Sequence, residues 1–173
     1  MTRTIVLLVL GTAAVVSAQT ATRPTPAPER SHYWSMAELH TTAAAEVIPK
    51  ARASDRHIAG KRMLDYRTHT SSLVHRVASH HAEQHEGVSD YWIVVAGTGT
   101  LVLGGEIVDR TELVPGEYRG PSIRGGEQHT LGVGDQVNIP PMVPHQVLLD
   151  PGQSLTYTIV KINVGMYPWT LVR

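Results

Sequence analysis

Cysteine and phenylalanine are both absent from this chain of 173 residues. Without cysteine there is no disulfide and no lipoprotein-type lipid anchor, so even in an oxidising compartment the fold rests on its core alone. Without phenylalanine, and with only three tryptophans and six tyrosines, that core must be mostly aliphatic. An excess of charge is missing too, since 15 basic side chains face 15 acidic ones. Neither a net positive field nor a local Lys/Arg cluster is there to attract nucleic acid or a membrane surface. The chain lacks an internal repeat, and its length gives room for one domain with one core. No stable membrane span is expected, because the apolar stretch near the N-terminus is too short to cross a bilayer comfortably.

That stretch fits a different role. Arg3 supplies a positive start, Ile5 to Val16 is apolar apart from Gly11 and Thr12, and Val16, Ser17 and Ala18 give a small-x-small cleavage pattern. Residues 1–18 are therefore expected to be a secretory signal peptide, leaving a secreted or periplasmic mature chain. Alternating Pro24, Pro26 and Pro28 mark residues 19–34 as an extended linker. Ser35 and Glu38 fit a helix N-cap with a capping box, and Ala and Leu then carry a short helix that Pro49 is expected to end. The helix and its connection take up residues 35–69.

From about Thr70 the texture shifts to period two, and residues 70–173 are expected to form a β-barrel. Leu73, Val77, His81, Glu83 and His85 fall on one face of a single continuous strand. Tyr91 to Ala96 reads as a buried strand, in which one of Tyr91 and Trp92 faces in and the other out. Thr100 to Leu103, Gln136 to Ile139, His145 to Leu149 and Leu155 to Val164 read as further strands. Turns are expected at Gly97-Thr98-Gly99, Gly134-Asp135 and Asp150-Pro151-Gly152. Val114 to Gly126, rich in glycine, proline and charge, reads as a long loop or weak hairpin. Many short strands with turn signals between them mean an all-β sandwich or barrel.

Histidine is the residue in surplus, with ten in the chain. Glu83 and His85 are two apart, so both project to the same side of a strand. Four residues bring the chain back to Asp90, and six more lead to Gly97. Later, five residues separate Gly134 from Pro140, and His145 stands five beyond that proline. In these spacings the chain resembles the cupin superfamily. The first motif of that family is Gly-x5-His-x-His-x3–4-Glu-x6-Gly, and the second is Gly-x5-Pro-x-Gly-x2-His-x3-Asn. The resemblance covers residues 70 to 164, and four positions depart from it. Glu83 stands at the first family histidine and Asp90 at the family Glu, while Met142 replaces the second motif's Gly and Leu149 its Asn. The Glu-x-His variant is similar to a small exported bacterial subgroup of the superfamily.

The resemblance implies a double-stranded β-helix, or jelly-roll barrel, with one short N-terminal helix. It implies a metal site made by Glu83, His85, Asp90 and His145. Such a mixed nitrogen and oxygen set suits a divalent transition metal: Fe, Mn, Zn or Ni. Several alternatives are open at this level. Glu83 can be a rim residue, with His81 as the ligand instead. Asp90 can hold a ligand histidine in place rather than the metal. The histidines can also line an empty polar mouth. His80, on the opposite strand face, is expected at the surface, and His129 in a loop. His75 shares the inward parity but lies ten residues from His85, about 33 Å along an extended strand, too far to share an ion. Glu117, Tyr118, Arg119 and Arg124 either cover the mouth and hold an anionic substrate or are simply solvated.

Two functions from different classes follow. One is a metal-dependent enzyme of the envelope or extracellular space, an oxygenase or a lyase/isomerase, acting on a small molecule. The other is a non-catalytic cupin that captures a small, sugar-acid-like ligand. Four protein ligands with open positions favour the first. An incomplete set beside a cavity lined by Arg and aromatic side chains favours the second. The resemblance also allows a homodimer, although no residue demonstrates one.

Overall fold

The computed structural model describes residues 31–166. The expected signal peptide and most of the expected linker lie outside the described residues. Helix α1 (Met36–Thr42) opens on the expected capping box. The Glu38 N–H donates to Ser35 Oγ at 3.2 Å, and the Glu38 carboxylate accepts from the Ser35 N–H at 2.7 Å. Pro49 does not end the helical segment. A π-helical turn (Ala43–Val47) intervenes, and α2 (Ile48–Ala53) carries Pro49 in its first turn. The Ile48 N–H already reaches back five residues to the Ala43 carbonyl. The missing proline N–H therefore falls where a helix start has no partner to lose.

Strands follow in chain order: β1 (Ile58–Asp65), β2 (His69–Arg76), β3 (Ala82–His85), β4 (Val88–Gly97), β5 (Gly99–Leu103), β6 (Glu106–Ile107) and β7 (Thr111–Val114). After them come β8 (Glu117–Gly120), β9 (Ile123–Arg124), β10 (Glu127–Leu131), β11 (Gln136–Ile139), β12 (His145–Leu148) and β13 (Leu155–Asn163). One antiparallel sheet runs β1-β2-β13-β4-β11 and another β10-β5-β12-β3-β8-β7, with β6 and β9 as a small separate pair. The two large sheets pack face to face. Trp92, Val94, Val137, Ile139, Leu155, Tyr157 and Ile159 from the first meet Leu101, Leu131 and Val147 from the second. Apart from Trp92 and Tyr157 this core is aliphatic, as the missing phenylalanine requires. The all-β jelly-roll barrel implied by the resemblance is the fold of this chain.

Trp92 faces in, 1% exposed, and Tyr91 faces out. A register shift between Thr156 and Tyr157 of β13 lies opposite Val95, where β4 carries an extra residue. Val95 faces outward, as alternation from the inward Trp92 and Val94 requires, and joins Leu73 under the helical segment's Leu39, Ala43 and Val47.

Three expectations are corrected or narrowed. The continuous strand from Leu73 to His85 is broken after Arg76, and the chain crosses from one sheet to the other before resuming as β3. Strand parity does not survive that corner. Leu73 packs outward on the helical segment, while Thr70, Ser72, Val74 and Arg76 line the barrel interior. His75 therefore faces away from the cavity, and its Nδ1 meets Thr156 Oγ1 at 2.7 Å. Second, of the long loop or weak hairpin expected over residues 114–126, the hairpin is what is found, with β7 and β8 paired and β8 docked on β3. Third, β1 lies in the stretch read as connection. It is an edge strand with one neighbour, so its sequence alternates only weakly.

Candidate metal centre

The site is assembled from three pairs of residues that face each other across neighbouring antiparallel strands. Glu83 of β3 is opposite His145 of β12, His85 of β3 is opposite Glu117 of β8, and Asp90 of β4 is opposite Lys161 of β13. The first two pairs belong to the six-stranded sheet and the third to the five-stranded sheet. The centre thus lies between the layers.

Glu83, His85 and His145 bring one donor atom each to within 4.8 Å of one another. Glu83 Oε2 is 3.9 Å from Nε2 of both histidines. Hydrogen bonds at the far ring nitrogens decide which lone pairs point inward. His85 Nδ1 lies 2.7 Å from Glu117 Oε2. An ionised carboxylate only accepts, so the proton sits on Nδ1 and Nε2 keeps its lone pair. His145 Nδ1 lies 3.2 Å from the Val143 carbonyl, which also only accepts. Its Nε2 is buried and has no hydrogen-bond partner among the described residues. Trp92 packs edge-on against that ring, with centroids 5.9 Å apart, and fixes its tilt.

Electrostatics matches this arrangement. Burial pulls the His145 imidazole down to about 4, against the raising influence of Glu83 and Asp90, so the ring is neutral at pH 7. Burial pushes the Glu83 carboxyl up, but Arg76 and Arg119 lead the charges that outweigh it and bring it down to about 2. Two neutral imidazoles and one carboxylate, presented lone pair first, are a chemically suitable set for a divalent transition metal. The orphaned Nε2 of His145 fits that set, because a buried ring nitrogen without a partner is costly unless something fills the place.

The other predicted residues divide as follows. Asp90 is 1% exposed, and its oxygens accept from Lys161 Nζ at 2.9 and 3.0 Å. It stands 3.6 Å from His85 Nε2 and 3.9 Å from His145 Nε2, beside the three-residue group and committed to Lys161. His81 does not join the cluster; its ring lies tilted at 53° against that of His80, with centroids 3.9 Å apart. His80 is not at the surface. Its side chain is 7% exposed and its Nδ1 lies 3.8 Å from Glu83 Oε1. His129 lies on β10 rather than in a loop, next to Glu127 and away from the site.

Arg76 and Lys161 were not found by sequence reasoning. Both are cations on the inward face of a strand whose other inward residues are uncharged, and that break in pattern was the available signal. Lys161 donates to His85 Nε2 at 2.9 Å as well as to Asp90. Arg76 is 6% exposed and lines, with Glu83, Asp90, Trp92, Tyr157 and Lys161, a cavity of about 400 Å³.

No protein-family model matches the chain, and neither does any curated protein sequence. Solved structures do. The DMSP lyase DddQ from Ruegeria pomeroyi is similar over 64% of this chain and 49% of its own, at 13% identity and a TM-score of 0.46. The polyketide cyclase RemF from Streptomyces resistomycificus is similar over 61% of this chain and 64% of its own, at 17% identity and a TM-score of 0.45. A cupin protein from Bacteroides fragilis is similar over 64% of this chain and 80% of its own, at 16% identity and a TM-score of 0.45. The chain spans about half the length of the lyase and just under two thirds of the cyclase. Among the described residues no helix is long and apolar enough to cross a membrane.

Proposed function

We propose that this chain is an exported metalloprotein that holds a divalent transition metal on Glu83, His85 and His145 and acts on a small molecule in the adjoining cavity. The observation that carries the reading is the shared presentation of three donor atoms, with the His145 Nε2 lone pair left without a partner. A metal held by these three residues would supply Lewis-acid chemistry of the kind a lyase or isomerase uses, or, if redox-active, the electron transfer an oxygenase needs. The chain's own residues do the rest. Glu117 holds the His85 ring and its tautomer. Trp92 and the Val143 carbonyl hold His145. Asp90, outside the three-residue group and fixed by Lys161, is the carboxylate left for moving a proton.

A second reading has its own support. Lys161 keeps Asp90 out of the ligand set, and the cavity is lined by Arg62, Arg76, Trp92 and Tyr157. Three ligands beside an arginine-rich, aromatic cavity favour capture of a small ligand without turnover.

Elemental analysis of the purified protein after reconstitution with Fe(II), Mn(II), Zn(II) or Ni(II) tests the metal. Near-stoichiometric metal that is lost in His85→Ala and His145→Ala, with the fold intact by circular dichroism, supports the site. Absence of metal from the reconstituted parent rejects it. Turnover in a substrate screen then separates the two readings.

A further inference from the structure

Arg76 carries a group that the metal site does not use. Its Nε donates to Tyr157 Oη at 2.8 Å, and this fixes the plane of the guanidinium. The two terminal nitrogens make no hydrogen bond to any described residue, yet they are not sealed off like the orphaned His145 nitrogen. They open on the cavity of about 400 Å³ that Glu83 also lines. A guanidinium this deep, with its outer N–H pair unmatched by protein, is a cost unless an acceptor comes to it.

We infer that the cavity takes a small carboxylate-bearing molecule whose carboxylate is held by the two terminal nitrogens of Arg76. The inference deepens the metal reading and rests on it for the net positive charge of the cavity and for what the far end of the ligand meets, while the open edge of the Arg76 guanidinium stands without it. Charge supports it. Lys161 and Asp90 neutralise each other. Glu83 and Arg76 are the next pair, and Arg76 is the cation that bears most on the Glu83 carboxyl. A divalent ion on Glu83 and two neutral imidazoles would leave this part of the cavity with two positive charges, while Arg62 at the wall is paired with Asp65 at 3.6 Å. An anion is the complement, and low-dielectric walls strengthen its attraction. Geometry chooses the anion, because the planar fork of Arg matches a carboxylate with two parallel N–H···O bonds. The volume sets its size, a small organic acid.

The test is calorimetric binding of glycolate, lactate and pyruvate, each against its neutral amide, with metal content measured on the same sample. At least one acid is expected to bind about tenfold or more tightly than its amide, the size of one charge-assisted bidentate contact. Arg76→Gln is expected to abolish the acid-over-amide preference while retaining metal, and Arg76→Lys to keep a reduced preference. If Arg76 served only as a counter-ion for Glu83, its replacement would weaken acid and amide alike. The inference is overturned if no acid outbinds its amide in the parent, or if Arg76→Gln preserves the preference. Should Arg76→Gln fail to fold, the parent comparison and Arg76→Lys still decide. Acid preference in a metal-free protein leaves this inference standing and removes the metal reading; metal without acid preference does the reverse.

Discussion

Lys161 donates a hydrogen bond into Nε2 of His85 at 2.9 Å, and that lone pair is one of the three that converge at the candidate metal centre. The same ammonium takes both oxygens of Asp90. A tethered cation thus occupies acceptors that a metal ion would use. Its stem is long, and the side chain is 37% exposed, so it has room to withdraw.

Replacing Lys161 by Met removes that competitor and frees Asp90 as a fourth ligand. The affinity of Lys161→Met for Zn(II) or Mn(II), measured against a chromophoric chelator, is expected to rise about tenfold or more. The metal-free variant should be less stable by about 2 kcal/mol, because Asp90 is left buried without its partner, and metal should restore it. Equal or weaker affinity would show that Lys161 does not compete for the site.

Glu117 bears on the candidate metal centre chiefly through His85, and more remotely through Arg119, which lies between Glu117 and Glu83. Glu117→Ala is expected to weaken metal binding roughly tenfold to a hundredfold, the usual cost of losing a carboxylate behind a ligand histidine. Glu117→Gln, which keeps an acceptor, should fall between. Unchanged affinity in Glu117→Ala would mean that packing, not this hydrogen bond, orients the ring.

Acid should destabilise the metal-free protein in a defined window. Burial pulls both His80 and His145 from the ordinary 6.5 to about 4, with Arg76 and His81 adding to the effect on His80 and Glu83 opposing it. A base with a depressed folded value costs stability as pH falls below its unfolded value, and the loss levels off below the folded one. Between pH 7 and pH 5 His145 therefore removes about 2 kcal/mol, and His80, which is less deeply desolvated, removes less. Glu83, brought from 4.5 down to about 2, adds a further loss only below about pH 4.5. Urea denaturation at the two pH values measures the drop, to which buried His75 adds, and His80→Gln should remove part of it. A flat profile would mean that these rings are protonated without penalty.

Met142 sits at φ +63°, a left-handed backbone at the position where the second motif carries glycine. The conformation is kept because the Met142 N–H donates to the His85 carbonyl at 2.7 Å and its own carbonyl accepts from Gln84 Nε2 at 2.7 Å. Met142→Gly relieves about 1 kcal/mol of strain and adds a similar entropy to the unfolded chain, so melting temperature should stay nearly constant. Met142→Val puts a β-branched side chain into the same conformation and should lower it by several degrees.

The sequence by itself determined what local rules govern. Residues two apart on a strand share a side, so Glu83 and His85 could be placed together without knowing their neighbours. Glycine and proline punctuation placed β5, β11 and β12 close to where they lie, and the motif spacing drew His145 and Asp90 toward the same centre. The capping box at Ser35 was legible because all its partners lie within one turn. Tertiary structure decided the rest, for one physical reason: strand pairing joins residues with no fixed separation along the chain. The crossing between sheets after Arg76 reversed the parity that a continuous strand would have carried, which sent His75 out and Arg76 in. The docking of the β7–β8 hairpin set Glu117 behind His85. The pairing of β13 with β4 placed Lys161 on Asp90, 71 residues away, and so determined which carboxylate is free to bind a metal and which is already taken.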